Sequence, residues 1–330
     1  MEVCGTHTMA IYQFGLRELL PPNLDMLSGP GCPVCVTPND YLDKAIWLSS
    51  RRDVIIATFG DMMRVPGSRS SLERERAAGA DVRVLYSPAD ALKIAEENPE
   101  KSVIFLSVGF ETTAPLPAMT LISARKRGLK NFMLLTANKT VPEPLKALAK
   151  GRVKLDGFLC PGHVSVIIGS AVYEEIARDG GIPCVIAGFE PVDIMHGLLK
   201  LSEFFVGGEK GVFNTYRRAV ASDGNIEARR AMETVFEPCD AEWRGIGVIP
   251  DSGLKIRAEF AEFDAENRFD IDIPRAVEPS GCRCGEVLTG AIRPPECPLF
   301  GTVCVPESPV GACMVSSEGS CAASYKYGMR

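Results

Sequence analysis

Val103-Ile104-Phe105-Leu106-Ser107-Val108-Gly109-Phe110-Glu111 and Pro183-Cys184-Val185-Ile186-Ala187-Gly188-Phe189-Glu190 each run an apolar stretch into the tripeptide Gly-Phe-Glu. A short apolar run without polar alternation is the pattern of a strand buried on both faces, as in a parallel sheet packed between helices. The same tripeptide at two strand ends predicts two similar α/β halves. Outward from the first run, candidate strands at 2–4, 24–27, 53–59, 82–86 and 103–108 alternate with helical patterns at 41–50, 71–78 and 89–97. Around the second lie strands at 131–136, 157–160 and 183–187, with helices at 144–150, 168–178 and 192–205. Residues 206–280 are less periodic, with a helical stretch at 226–236 and a strand-like run at 246–249. The expected division is an α/β domain over 1–128, a second over 129–245 and a C-terminal unit over 246–330.

The 330 residues are 46% apolar and 24% charged, the balance of a globular protein. A formal charge of −6 leaves no broad cationic face, which argues against nucleic acid and anionic membrane surfaces as partners. No run of 18 apolar residues occurs, and Met1-Glu2-Val3-Cys4-Gly5-Thr6-His7 lacks the pattern of a signal peptide, so a cytoplasmic location is expected. Twelve cysteines then point to metal, cluster or redox chemistry, because the cytosolic thiol pool keeps structural disulfides rare.

Six of those cysteines fall within 282–321, in a tail of Cys, Gly, Pro and Ser too poor in apolar runs to build a large core. A bound metal centre would supply the missing cohesion. Cys297, Cys304, Cys313 and Cys321 have the spacing C-x6-C-x8-C-x7-C, which suits a four-thiolate site for a [4Fe–4S] cluster or a structural Zn²⁺. Cys282 and Cys284 are left as neighbouring or redox groups. In Gly29-Pro-Gly-Cys32-Pro-Val-Cys35 a C-x2-C pair sits in a rigid loop, fit for a redox dithiol or for half of a zinc site. No second C-x2-C pair exists to complete the zinc site, which favours the dithiol.

Cys4-Gly-Thr-His7 follows the first candidate strand and offers a soft and a borderline ligand three residues apart. Cys4, Cys32, Asp61 and Glu111 all lie just past predicted strand ends, where open α/β sheets gather ligands, and are expected to line one crevice. For Cys4 alone, packing as a small buried hydrophobe is the competing reading. His163, in Cys160-Pro-Gly-His163, is a candidate proton donor or ligand, or a structural hydrogen-bonding residue. Glu111 and Glu190 are either site carboxylates or first-turn residues that complement a helix dipole.

Taken together, Cys4-Gly-Thr-His7, Gly29-Pro-Gly-Cys32-Pro-Val-Cys35-Val-Thr-Pro38, Gly109-Phe-Glu-Thr-Thr-Ala-Pro115, Pro161-Gly-His163, Gly188-Phe-Glu-Pro191 and the tail cysteines closely resemble the HypD family of [NiFe]-hydrogenase maturation proteins. The resemblance runs from Met1 to Tyr327. Family members usually carry a further segment before the first motif. The resemblance implies two similar Rossmann-like parallel-sheet domains plus a small Cys-rich iron–sulfur domain. It also implies a role in building the Fe(CN)2CO group delivered to the hydrogenase large subunit, in complex with HypC and with cyanide supplied by HypE as a thiocyanate. By the same resemblance Cys4 matches the iron-holding cysteine, shared with a cysteine of HypC. Cys32 and Cys35 match the thiol–disulfide pair, and Cys297, Cys304, Cys313 and Cys321 the [4Fe–4S] ligands. His7, Glu111, His163 and Glu190 would fix the thiolate and supply hydrogen bonds or protons. Two other classes compete: a stand-alone iron–sulfur-dependent thiol–disulfide reductase, and a zinc-stabilised binding module without redox function.

Overall fold

The computed structural model describes residues 1–328. β1 (Val54–Thr58), β2 (Val82–Val84), β3 (Ser102–Gly109) and β4 (Phe132–Asn138) form a parallel sheet in the order β2-β1-β3-β4. The central strand β3 shows why its sequence does not alternate. Ile104, Leu106 and Val108 enter one apolar cluster, whereas Val103 and Phe105 point into another with Ile55, Leu121 and Leu134. Both faces lose water, and at about 25 cal/mol per Å² each buried aliphatic side chain contributes roughly 1.5–3 kcal/mol. β5 (Phe158–Pro161), β6 (Cys184–Ala187) and β7 (Val212–Asn214) form a second parallel sheet, and β8 (Phe236–Trp243) pairs with β9 (Gly247–Ile256) as an antiparallel hairpin.

Several expected elements change place. The strand expected at 131–136 in the second half is β4, which pairs with β3 in the first sheet. Residues 2–4 and 24–27 form no strand of the first sheet. Glu2 instead makes isolated parallel bridges to Ser28 and to Leu159 of β5, so the N-terminus extends the second sheet. The helix expected at 168–178 is two helices, Gly162–Ile168 and Val172–Gly180. They part at Gly169, whose φ of +86° and close approach to Ser222 O, 2.1 Å from where a Cβ would sit, require glycine. The predicted helix at 226–236 ends at Val235 because Phe236 opens β8, and the run at 246–249 begins the longer β9. The helices Asn39–Ser49, Leu72–Ala77, Asp90–Glu97 and Pro191–Gly207 lie where the periodicity puts them.

The two sheets are not independent. One cluster unites Ile104 and Leu106 of β3 with Phe158 of β5 and Ile186 of β6. The same cluster takes in Cys32 and Cys35 and, from the tail, Cys284, Leu288, Ala312 and Cys313. The other face of the second sheet is covered by α1 (Gly5–Gln13), whose Ala10 and Ile11 meet Leu159, Ala187 and Ile194. Among the described residues no helix is long and apolar enough to cross a membrane.

Candidate functional site

The N-terminal bridge to β5 ends at Cys4, which sits in extended conformation as the N-cap of α1 and is buried. Its backbone N–H donates to Glu2 Oε2 at 3.0 Å. The other oxygen of that carboxyl accepts from Thr8 Oγ1 at 2.5 Å. Glu2 is fully buried, and desolvation raises its pKa. Burial also pushes the Cys4 thiol up to about 12, with Glu318 and Glu2 adding to the rise against hydrogen bonds from the His7 and Thr6 backbone. Cys4 is therefore a thiol at neutral pH, and a bound cation is what would make it a thiolate.

One turn on, His7 is fully buried and its Nε2 lies 2.8 Å from Gly188 O. A carbonyl only accepts, so Nε2 carries the proton and Nδ1 presents a bare lone pair. That Nδ1 has no hydrogen-bond partner among the described residues. Burial pulls the imidazole pKa down to about 4, which keeps it neutral. Phe189 lies between two histidines, with ring centroids 4.8 Å from His7 and 4.0 Å from His163. His163 is exposed, and so is Glu190, which stands at the N-cap of Pro191–Gly207 without a capping side-chain bond.

Gly31 joins Cys4 to the second motif. A Cβ there would fall 2.3 Å from Cys4 N, and Gly5 N–H donates to Gly31 O at 3.0 Å. Cys32 is the N-cap of α2 (Pro33–Val36), accepts from Cys35 N–H through its sulfur, and is joined to Cys35 in a disulfide. Both half-cystines are buried. Cys35 Sγ lies 4.0 Å from Ala312 O, the residue before Cys313.

All six tail cysteines line one cavity, whose remaining wall includes Val287, Leu299, Phe300 and Met314. Cys284 Sγ and Cys313 Sγ are 2.8 Å apart. Two thiolates on one tetrahedral ion with bonds of about 2.3 Å stand about 3.7 Å apart, so this pair is closer than two ligands of one ion. Among the described residues no three His, Cys, Asp or Glu are already at the spacing of a single-ion site. The segment between Cys313 and Cys321 also touches the Cys4 helix, through Glu318. Thr6 Oγ1 donates to Glu318 Oε1 at 2.9 Å, and a Cβ on Gly5 would meet Glu318 Cβ at 2.4 Å.

Cys4, the disulfide and the cysteine cavity thus form one continuous line of contacts. The model of the HypD family, described as "Hydrogenase formation hypA family", matches residues 1–328. The chain belongs to the HypD family. It is 47% identical over 337 residues to the hydrogenase maturation factor HypD2 of Bradyrhizobium diazoefficiens, covering 99% of this chain and 89% of the relative. It is 48% identical over 337 residues to the HypD of Cupriavidus necator, with the same shares covered. To the HypD of Escherichia coli it is 47% identical over 331 residues, covering 99% and 88%.

Of the four residues expected to line one crevice, Cys4 and Cys32 meet through Gly31 and the exposed Asp61 is near enough to act on Glu318 beside the Cys4 helix, whereas Glu111 is sealed away. Cys4 and His7 sit on the second sheet with His163. Glu111 stays at the end of β3, where Oε1 accepts from Val141 N–H at 2.9 Å and Oε2 has no partner among the described residues. Burial raises its pKa to about 7. Glu111 is four positions before the helix Pro115–Arg127, so it is not the first-turn carboxylate that the sequence allowed. Glu2, Glu318 and Arg244 were missed. Glu2 left one signal, an acid inside an otherwise apolar opening strand; the other two meet their neighbours only through the fold.

Proposed function

We propose that this chain acts in hydrogenase maturation as the scaffold on which the Fe(CN)2CO group is built, with iron held at Cys4. Its family and the names of its relatives support the maturation role. The observation that carries the finer reading is the unbroken path from Cys4 through Gly31 to the Cys32–Cys35 disulfide, and from Cys35 through Ala312 to the six-cysteine cavity. Soft donors in an apolar wall fit an iron–sulfur group. Four of the six would hold a [4Fe–4S] cluster, Cys297, Cys304 and Cys321 with either Cys313 or Cys284, and it would supply one-electron chemistry beside the disulfide.

In the proposed reaction the reduced Cys32/Cys35 pair gives two electrons and two protons and closes its S–S bond. The thiocyanate carried by HypE takes both electrons, its S–C bond breaks, cyanide passes to the iron, the carrier sulfur takes one proton and leaves as a thiol, and the second proton goes to solvent. Reopening Cys32–Cys35 requires two electrons, which is the reason for a redox group next to it. His7 Nδ1 is an unused acceptor one turn after Cys4 and would orient a proton there rather than keep it, since burial holds the imidazole neutral. HypC would complete the iron site from the exposed side marked by His163 and Glu190. Burial of both sulfurs disfavours the stand-alone reductase, because a folded protein's disulfide has no approach to them, whereas a linear thiocyanate is thin.

The test is the iron, acid-labile sulfide and zinc content of protein purified without oxygen, for the unaltered chain and for Cys297→Ala. About four iron and four sulfide per chain, lost in the variant, is expected. Stoichiometric zinc without sulfide would overturn the electron path.

A further inference from the structure

Arg244 lies in the turn between β8 and β9, and its side chain is 2% exposed. Its backbone N–H donates to Val36 O at 2.9 Å, and its Nε donates to Thr37 O at 2.7 Å. These two carbonyls directly follow the Cys32–Cys35 turn. The next residue, Gly245, packs so closely on the start of the helix Cys284–Leu288 that a Cβ there would fall 2.5 Å from Gly285 Cα. Arg244 therefore stands between the disulfide and the wall of the cysteine cavity, close enough for its charge to act on Cys284.

Neither Nη1 nor Nη2 makes a hydrogen bond among the described residues. The nearest carboxylate, Glu278, reaches only 3.7 Å from Nη1 and is itself half exposed, so solvent weakens the pair. A guanidinium cannot shed its proton, and a buried unpaired cation is strongly destabilising unless an anion answers it. The anion on offer is the thiolate array. Four thiolates around a cluster carry net negative charge, which grows by one on reduction.

We infer that Arg244 is a positioning residue that holds the Cys32–Cys35 turn against the cysteine cavity and, as a fixed buried cation, favours the reduced state of the group bound there. The inference rests on the cluster reading above. Its test is a potentiometric titration of the cluster, followed by its spectrum in oxygen-free protein, in the unaltered chain and in Arg244→Gln, Arg244→Met and Arg244→Lys. Either neutral variant that folds is expected to disfavour reduction at least tenfold, a negative shift of about 59 mV for a one-electron couple. Arg244→Lys keeps the charge but loses the Nε–H bond to Thr37 O, and is expected to recover most of the shift. A structural role alone would make Lys as damaging as Gln and leave the potential in place. Cluster present at an unchanged potential in a folded neutral variant overturns this inference and leaves the cluster reading intact. No sulfide in the unaltered chain overturns the cluster reading first, and this inference with it.

Discussion

Gly109-Phe110-Glu111 and Gly188-Phe189-Glu190 end parallel strands in the same way, yet the fold uses them differently. Phe110 is buried and stacks on Trp243 at 5.8 Å under the β8–β9 hairpin, and Glu111 is sealed behind it. Phe189 stays half-buried between His7 and His163, and Glu190 faces solvent. What covers a strand end decides its role. The covered end has become structure, with a carboxyl whose pKa burial raises to about 7 stored in it. The open end leaves His163 and Glu190 exposed over the half-buried Phe189, which packs on the buried His7.

The largest effect expected from this contrast is at Cys4, beside the open end. Cys4→Ala should abolish hydrogenase maturation while leaving iron and sulfide in the tail unchanged, as measured by hydrogenase activity in cells and metal analysis of the purified chain. Full maturation in the variant would remove Cys4 from the site.

The covered end should show itself in stability. Glu111 titrates near 4.5 when unfolded and near 7 when folded, so the native state binds more protons between those values and stability falls as pH rises through that window. Above it the deficit is roughly 3 kcal/mol. Glu111→Gln should remove that slope in denaturant melts from pH 4 to 8; parallel curves for variant and parent would break the contrast.

His7 should give the opposite sign. Its imidazole titrates near 6.5 unfolded and near 4 folded, so the unfolded chain binds more protons and stability is lost as pH falls from 6.5 towards 4. In metal-free protein His7→Gln should flatten that limb, by about as much as Glu111→Gln flattens the other because the two shifts are of the same size. An unchanged acid limb would show that His7 is charged in the folded chain. Smallest of all, Glu190→Gln should move stability by less than about 0.5 kcal/mol, since the side chain is exposed. Any larger loss of maturation at that position, with stability intact, would sharpen the contrast by making Glu190 a contact for a partner.

Much of the α/β framework was legible because its strands are buried on both faces and so announce themselves as apolar runs. β3 and β6 are the clear examples. Partners across a sheet are another matter, because pairing depends on chain crossings that local pattern does not record. Hence β4 was attached to the wrong half, and the opening residues, adjacent in sequence to the first sheet, extend the second. The β8 strand was missed for a related reason: Phe236-Glu-Pro-Cys-Asp-Ala-Glu-Trp243 has charged residues on its exposed face and a proline, and only its pairing with β9 makes it a strand.

The motifs by themselves determined the family and singled out Cys4, Cys32, Cys35 and the tail set as the candidate residues, because thiols at close spacing in Gly/Pro loops stand out from the rest of the chain. The tertiary structure alone decided that Cys4 touches the disulfide loop, that the disulfide abuts the Cys313 segment, and that Arg244 is buried between turn and cavity. Those contacts join residues as far as 312 positions apart, as in Thr6 with Glu318. Shared burial in one core brings them together, and no local sequence pattern encodes that.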